Sequence, residues 1–318
     1  MRTYVVRRLL LFVPTLLLAS VTVFLIMRAL PGDVTSALLG GEGEALRPEL
    51  VAALREELGL DAPLVVQYGR WAASMVGELG GRSLATQQPI ADIVARALPV
   101  TMLLGLYAVA AGILLAVPLG ALAALHAGRW PDGLVRTLGV VGSALPGFWV
   151  ALLALLLVVL LFGWSPPLIY AHPWHRPLDH VEIMAIPALV LAWELGGHVA
   201  RVTRAGTLES LQQDHVRTAT AKGVGRTGVL LRHALRTAAI PIVTVVGLHV
   251  GGLLGGAVIL EYIFGLPGIG RALVQAVMAR DYPVVQSLSL LFVTLVLALN
   301  LVIDLLYAVA DPRIRYGD

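Results

Sequence analysis

A cationic stretch near the middle of the chain carries the residues that could bind a phosphate group. From His215 to Pro241 the sequence is HVRTATAKGVGRTGVLLRHALRTAAIP, which contains five basic residues and no acidic one. Within it, Gly223-Val-Gly225-Arg-Thr-Gly228 matches the G-x-G-x-x-G pattern of dinucleotide sites. Such a site also needs a preceding strand and an acid about 20 residues further on, but no Asp or Glu occurs between Asp214 and Glu261. No P-loop pattern surrounds Lys222, so the sequence predicts no nucleotide site in this chain.

Ionisable residues also interrupt the apolar stretches on either side of the cationic one. Glu194 and His198 are four residues apart and therefore share a face if they lie on a helix. His249 lies in the middle of the next apolar stretch, and Asp304 lies near the end of the last one. Two interpretations stay open: a mutually satisfied Glu–His pair, or a polar patch with a functional role.

Three further histidines, His172, His175 and His180, lie in the segment YAHPWHRPLDH. No two of them have the i,i+4 spacing of a helical metal site, and the prolines favour an irregular loop, so we expect no metal site. The chain has no cysteine, which excludes disulfides and thiolate metal sites. The sequence contains no H-E-x-x-H, Ser/His or paired-aspartate motif that would indicate an enzyme.

The composition is that of a membrane protein. Of 318 residues, 58% are hydrophobic and 14% are charged, with a mean hydropathy of +0.84, whereas soluble domains carry about 25% charged residues. The net charge is only +3, and the cationic stretch holds no aromatic residue that could stack on bases. We therefore expect membrane lipid, and not nucleic acid, around this chain.

Six stretches have the roughly 20 apolar residues that a spanning helix needs. The first follows the basic start MRTYVVRR and is too long for the apolar core of a signal peptide, so we interpret it as a retained helix. The six stretches are Leu9–Met27, Leu98–Leu125, Leu138–Leu161, Ile183–Ala200, Ala238–Ile263 and Val284–Ala310.

The basic residues of the short loops predict the orientation, because cytoplasmic loops are enriched in Lys and Arg. Placing the N-terminus inside puts the N-terminal arginines, the cationic stretch and the C-terminal arginines in the cytoplasm. The sequence thus predicts an all-α membrane protein with six transmembrane helices and two cytoplasmic termini.

Three parts follow from this topology. Residues 1–30 form the N-terminus and first helix, residues 31–97 form a helical extracytoplasmic cap, and residues 98–318 form the core. In the cap, RPELVAALREELGLD and Val65–Val76 are typical of short amphipathic helices. In the cytoplasmic loop 201–237, a short helix from about Leu208 to Ala221 is expected to stop at Gly223, and a second helix resumes toward the membrane.

The cationic loop resembles that of the permease subunits of bacterial ABC importers. Their motif is Glu-Ala-Ala, three residues, Gly, nine residues and Ile-x-Leu-Pro. Here Gly223 is kept, but Arg217-Thr218-Ala219 replaces Glu-Ala-Ala, as in the dipeptide/oligopeptide/nickel branch. The blocks LPGD, LREELGLDAPLVVQYGRW, ALPGFWVALL, GGAVILEYIFGLPGIGRALVQAVMARDYPVVQ and NLVIDLLYAVADPRIR are similar to that branch in order and spacing, and to the first of its two paired permeases. Three positions depart from the branch pattern: Glu194 replaces proline, Thr237 replaces Asn, and His249 replaces Gln.

The resemblance implies a permease subunit without catalysis of its own, located in the bacterial inner membrane. Its partners would be a second permease, two ATPase subunits that bind ATP and Mg²⁺, and an extracytoplasmic binding protein. The cytoplasmic helix would be the coupling helix that docks on an ATPase, with Arg217, Thr218, Ala219, Lys222 and Gly223 at the contact.

Glu194, His198, His249, Gly252 and Gly255 are the candidates for the translocation path. The glycines of the fifth span would either pack helices closely or leave room for a bulky solute, and Glu194 and His198 would contact a peptide terminus or a chelated cation. The alternative function is a secondary transporter that relays protons through Glu194, His198 and Asp304.

Overall fold

The computed structural model describes residues 2–29, 61–167 and 169–310, and these residues form helices and loops without a strand. This confirms the predicted all-α class. The helices are α1 (Arg2–Ala29), α2 (Leu64–Glu78), α3 (Ile90–Leu125), α4 (Trp130–Ala144), α5 (Gly147–Phe162), α6 (Pro177–Leu211), α7 (Asp214–Ala221), α8 (Arg226–Val229), α9 (Leu235–Phe264), α10 (Ile269–Met278) and α11 (Tyr282–Ala310), with a π-helical turn (Leu230–Ala234) between α8 and α9.

Five of the described helical runs are long and apolar enough to cross a membrane, and a bent pair makes a sixth. The five are α1, α3, α6, the run Arg226–Phe264 and α11, and the pair is α4 with α5. We predicted one spanning helix from Leu138 to Leu161, and the structure differs here because α4 and α5 meet at an angle of 109°. Pro146 cannot donate a backbone hydrogen bond, and Leu145 before it is extended at φ −87° and ψ 133°.

One compact unit comprises Thr101–Leu266 and, among the described residues at the end of the chain, residues 302–310. Its central helix is α6, which packs against α9 and α4. The approach to α4 is close, because a Cβ on Gly197 would lie only 2.8 Å from the Gly139 carbonyl oxygen. Glycine at both positions therefore lets the two backbones meet, as is common between helices in lipid.

Helix α6 extends further than the sequence indicated. The predicted span ended at Ala200 and the predicted loop began at residue 201, but α6 continues to Leu211. The hydroxyl-bearing residues Thr203, Thr207 and Ser210 are fully buried along this extension. Packing of this face thus keeps a polar segment helical.

The second compact unit comprises Arg2–Val100 and Pro267–Leu301. Helix α2 confirms the predicted amphipathic helix at Val65–Val76, whereas most of RPELVAALREELGLD lies at residues 30–60, outside the described residues. Helix α2 packs on α1 through Tyr68, whose hydroxyl is 2.8 Å from the Ser20 hydroxyl. Buried Asp281 anchors the loop before α3, since its carboxylate accepts hydrogen bonds from Ser83 Oγ at 2.5 Å and from the Leu84 N–H at 3.2 Å.

Candidate functional site

The short helix α7 lies between the ends of two spanning helices, as the sequence predicted. It begins at Asp214, six residues later than expected, and ends at Ala221 as expected. Val216 and Ala219 are buried against Val229 of α8, with Leu211 and Val224 packed beside them. Because these residues recur at i and i+3, one stripe of α7 faces its own chain and the opposite side faces outward.

Gly223 ends α7 in a Schellman motif. The Val224 N–H donates to the Ala219 carbonyl at 3.2 Å, and the Gly223 N–H donates to the Thr220 carbonyl at 3.0 Å. Gly223 has φ +81°, a left-handed conformation that L side chains rarely adopt, and a Cβ there would meet no atom within 4 Å. Glycine is thus required here for its backbone conformation and not for close packing.

The residues that we predicted at the ATPase contact divide into two groups. Arg217, Thr218, Lys222 and Gly223 are exposed, and we call these four residues the α7 outer face. Ala219 is only 6% exposed and lies in the buried cluster with Val216 and Val229. The ion pair of Arg217 with Asp214, at 3.8 Å, joins two highly exposed groups and contributes little to stability.

The π-helical turn connects this surface to a spanning helix. Its Leu230 and Ala234 are buried with Ala121 of α3, and Leu211 and Leu235 pack on the same cluster. The Leu235 N–H donates to the Leu230 carbonyl, five residues back, which is the bonding of a π turn. Such turns within helices are frequent at functional sites.

Two predicted path residues meet inside the spanning region. The rings of His198 on α6 and His249 on α9 lie with their centroids 4.1 Å apart. Arg201 Nη2 lies 3.1 Å from His198 Nδ1, and Arg201 Nη1 donates to the Gly139 carbonyl at 2.6 Å. An arginine that donates to Nδ1 leaves the proton of a neutral His198 on Nε2. The ring pair is thus held from both sides, since His249 Nδ1 lies 2.9 Å from the Val245 carbonyl.

Glu194 does not form the predicted pair with His198. Its side chain is exposed and has no hydrogen bond or ion pair with any residue that the structure describes. It points toward the start of α5, where a Cβ on Gly147 would lie 3.3 Å from Glu194 Oε2. The carboxylate is therefore available to a partner outside this part of the chain.

The glycines of α9 lie on two different faces of the helix. A Cβ on Gly256 would lie 3.0 Å from Leu191 Cδ2, so Gly256 packs closely on α6. Gly252 and Gly255 are exposed, and a Cβ on either would meet no atom within 4 Å. Gly256 thus fits the close-packing interpretation, whereas Gly252 and Gly255 do not pack on another part of the described chain. Asp304 lies half-buried near the end of α11.

The outer-loop histidines lie in a packed aromatic cluster. His180 is 1% exposed, with Nε2 3.1 Å from the Tyr107 hydroxyl and Nδ1 2.8 Å from the Ala171 carbonyl. Tyr170 contacts the rings of both His172 and His180 edge-on, and burial raises the pKa of its hydroxyl. His180 is therefore a structural residue, and the described residues contain no group of three His, Asp or Glu side chains that could hold a metal ion.

Sequence reasoning missed one buried ion pair. Asp132, at the start of α4, accepts hydrogen bonds from Arg204 Nε, from Arg204 Nη2 at 2.8 Å and from the Gly128 N–H at 2.9 Å. Asp132 is 2% exposed. The available signal was an isolated acid between Arg129 and Arg136 in an otherwise basic segment. Together with the hydrogen bond from Arg201 to the Gly139 carbonyl, the Asp132–Arg204 pair joins α4 to α6.

Comparison with known proteins assigns this architecture to a family. Residues 116–316 match the family described as "Binding-protein-dependent transport system inner membrane component", and residues 1–105 match the N-terminal family of the same systems. A putative peptide transport system permease protein of Brucella abortus (strain 2308) is 41% identical over 316 residues, which cover 99% of this chain and 100% of the relative. The glutathione transport system permease protein GsiC of Escherichia coli (strain K12) is 39% identical over the same extent.

These matches cover nearly the whole chain and include α7, the π turn and every candidate span. The family is a membrane component of transport systems that work with a binding protein and ATPase subunits. The apolar helices agree with a multi-pass protein of the inner membrane. The chain therefore belongs to the family of binding-protein-dependent transport system inner membrane components, and it is a permease subunit of an ABC importer.

Proposed function

We propose that this permease forms half of the path by which di- or oligopeptides, including glutathione-like ones, enter the cell. Relatives of nearly full length are a putative peptide permease and a glutathione permease, and exposed Gly252 and Gly255 leave open space beside α9 for a bulky solute. The other half of the path comes from a second, homologous permease, and an extracytoplasmic binding protein delivers the solute. Nickel chelates and related solutes are the other cargo of this branch.

The proposal rests on the segment formed by α7, α8 and the π turn. Helix α7 presents a cationic outer face and is fastened to α8 by Val216 and Ala219, while the adjacent π turn leads directly into α9. A push on α7 therefore reaches a spanning helix through buried contacts. Two ATPase subunits bind ATP and Mg²⁺ and supply this push, and the permease itself has no catalytic role and binds no cofactor.

The contact with the ATPase is made by the α7 outer face. Arg217, Thr218, Lys222 and Gly223 touch the partner, and Ala219 acts from within by holding α7 on the permease. This arrangement puts loop 201–237 and both chain termini in the cytoplasm, in agreement with the distribution of basic residues. The predicted cap, residues 31–97, then faces the binding protein, except that its last residues belong to α3, which begins at Ile90 and not at the predicted Leu98.

The polar groups of the path recognise the solute. Exposed Glu194 attracts the amino terminus of a peptide or a chelated cation, and His198 and His249 offer ring nitrogens nearby on α6 and α9. No contact joins Glu194 to His198 among the described residues, so no observation favours proton relay through Glu194, His198 and Asp304 as a secondary transporter.

The test is peptide uptake by the complete assembly in proteoliposomes. We expect uptake to require ATP, the ATPase subunits and the binding protein, and we expect Glu194→Gln to raise the peptide concentration for half-maximal uptake severalfold. Glu209→Gln is the matched control, because Glu209 is an exposed carboxylate on the same helix and lies outside the proposed path. Uptake driven by an ion gradient without ATPase subunits would refute the proposal. Equal half-maximal concentrations in the two variants would remove Glu194 from the path.

A further inference from the structure

The half-buried rings of His198 and His249 form a pair in which hydrogen bonds fix the position of each proton. Their centroids lie 4.1 Å apart, and their planes are inclined by 36°. The Nδ1 atom of each ring is engaged beside its own helix, by Arg201 on α6 and by the Val245 carbonyl on α9. The more distal Nε2 atom is therefore the one that each ring can offer to a solute.

The proton of His198 is on Nε2. Arginine can only donate hydrogen bonds, so His198 Nδ1 accepts from Arg201 Nη2 at 3.1 Å. Arg201 is itself fixed, because its Nη1 donates to the Gly139 carbonyl at 2.6 Å and to the Ser143 hydroxyl at 2.9 Å. A second proton on the His198 ring would break the bond to Arg201 and face its positive charge. His198 thus presents an N–H donor at Nε2.

His249 has the opposite arrangement. A carbonyl oxygen can only accept, so His249 Nδ1 carries the proton and donates to the Val245 carbonyl at 2.9 Å. No carboxylate of the described residues contacts this ring, and a positive charge without a partner is costly in the spanning region. The neutral ring thus presents a lone pair at Nε2, which makes it an acceptor.

The pair therefore offers one donor and one acceptor next to each other. A metal ion needs an unprotonated nitrogen from each ring, but Nε2 of His198 holds a proton. Moving this proton to Nδ1 would break the hydrogen bond from Arg201. A metal ion between the rings is thus disfavoured, and a neutral group that carries both an acceptor and a donor fits better.

The main chain of an extended peptide is such a group. Each residue other than proline carries one N–H donor and one carbonyl acceptor. In an extended chain these two groups of one residue point to the same side, as in a hydrogen-bonded pair of an antiparallel sheet. Both groups are independent of the side chain, so recognition through them suits solutes of varied sequence.

There is room for a main chain beside the rings. Gly252 lies three residues after His249 and so shares its face of α9, and a Cβ on Gly252 would meet no atom within 4 Å. In the described part of the chain, neither Nε2 atom has a hydrogen-bond partner, and neither is fully enclosed. A peptide backbone can therefore approach the pair.

We propose that the ring pair binds the main chain of one extended peptide residue. His198 Nε2–H donates to its carbonyl, and His249 Nε2 accepts from its N–H. This inference rests on the proposed function, which places both rings in the path, and it adds the part of the peptide that the rings recognise. Arg201 is then a positioning residue, because it keeps the proton of His198 on Nε2.

Uptake of backbone-modified peptides by the complete transporter in proteoliposomes tests the proposal. The probes are trialanine and its two analogues in which an ester oxygen replaces one peptide N–H, each supplied on saturating binding protein. The same binding protein delivers every probe, so its own preference is unchanged between permease variants. We expect the wild type to take up trialanine severalfold faster than at least one analogue.

Variants of His249 show whether the ring accepts the N–H. His249→Phe removes the acceptor and should bring the two uptake rates together. His249→Gln supplies an amide oxygen as acceptor and should keep the preference for trialanine. Tyr262→Phe is the matched control, because it removes an exposed hydroxyl from the same helix, and it should keep the wild-type ratio.

The tautomers are measured separately, by ¹⁵N NMR of histidine-labelled transporter without peptide. We expect the proton on Nε2 of His198 and on Nδ1 of His249, with the signals assigned through His198→Gln and His249→Gln. Addition of Zn²⁺ alone should leave both signals unchanged. Arg201→Met should let the proton of His198 distribute over both nitrogens, which loss of packing alone would not cause.

Three results would overturn the proposal: the same preference for trialanine in His249→Phe as in the wild type, a different pair of tautomers, or a shift of both rings by Zn²⁺. The tautomers and the response to Zn²⁺ are read in the wild type, so they remain decisive if His249→Phe fails to assemble. A wild-type transporter that takes up neither trialanine nor its analogues would instead refute the proposed function, and the peptide assignment with it, even if the tautomers are as expected.

Discussion

At the scale of single residues, Gly223 carries the clearest conformational requirement. It closes α7 at φ +81° with two hydrogen bonds that satisfy the end of the helix. A side chain in the left-handed region costs roughly 1–2 kcal/mol, and less for Asn than for Ala. The position of the α7 outer face relative to α8 therefore depends on this one backbone angle.

We predict that Gly223→Ala lowers ATP-driven uptake severalfold and that Gly223→Asn lowers it less. Gly225→Ala is the matched control, since Gly225 has φ −62° and open space at its Cβ. Uptake should follow this order in proteoliposomes, and hydrogen exchange should show α7 loosened only in the Gly223 variants. A loss in Gly225→Ala as large as that in Gly223→Ala would show that the angle is not the cause.

The buried pair of Asp132 and Arg204 gives a second residue-scale prediction. Removing one partner from a buried ion pair typically costs about 3–5 kcal/mol, whereas replacing both with apolar residues is often close to neutral. Arg204→Met should therefore lower the thermal midpoint of the purified complex clearly, and adding Asp132→Leu should restore most of it. If the double variant is no more stable than Arg204→Met, the unpaired charge of Asp132 is not the cause of the loss and this account of the pair is wrong.

At the scale of elements, the buried hydroxyls of α6 are the unexpected feature. Thr203, Thr207 and Ser210 are fully buried, and their hydroxyl oxygens have no hydrogen-bond partner among the described residues. They recur at i, i+4 and i+7 and so lie along one face, and a Cβ on Gly120 of α3 would meet Thr203 Cβ at 2.8 Å. Burying such a hydroxyl unpaired costs free energy, which weakens the packing of the part of α6 that precedes α7.

We predict that Thr203→Val and Thr207→Val each stabilise the permease by up to about 1 kcal/mol, because a methyl group replaces an unpaired hydroxyl of similar size. Thr101→Val should destabilise it, since the Thr101 hydroxyl donates to buried Glu261 at 2.6 Å. Thermal midpoints of the assembled complex measure both effects. Lower midpoints in the two α6 variants would mean that these hydroxyls find partners in the assembly.

The hydropathy of the sequence predicted most of the long helices but not the residues at which they bend or end. The apolar runs indicated every candidate span, and Gly223 indicated the end of α7. The bend between α4 and α5 was not predictable from apolar content, because proline is tolerated in many membrane helices. The extension of α6 to Leu211 depends on burial of a polar face by α3 and the π turn, which no local pattern reveals.

The short helix at the candidate site was predictable from the sequence, but the directions of its side chains were less so. The sequence placed Arg217, Thr218 and Ala219 together on a short helix, but only the contact with Val229 shows that Ala219 faces inward. The Glu194–His198 pair followed from i,i+4 spacing, yet His198 instead meets His249 and Arg201. Contacts between residues far apart in the sequence decide which way Ala219 faces and which partners His198 meets. Spacing along one helix does not predict such contacts.

At the scale of the whole molecule, buried contacts link the short helix α7 to two spanning helices. Helix α7 is fastened to α8 by buried contacts and continues through the π turn into α9, and Leu211 at the end of α6 packs on the same residues. Movement of α7 would thus reach two spanning helices at once. His198 and His249, which lie on these two helices, would then shift relative to each other when the path opens or closes.

Site-directed crosslinking between α7 and the ATPase tests the central claim most directly. The chain has no cysteine, so single cysteines at Arg217 and Lys222 can be compared with one at buried Val216 in the assembled transporter. We predict that Arg217→Cys and Lys222→Cys crosslink to the ATPase subunit with a yield that changes when ATP is bound, and that Val216→Cys does not. If the α7 outer face reacts only with reagents from outside the cell, or if neither Arg217→Cys nor Lys222→Cys crosslinks to the ATPase subunit, the account is contradicted.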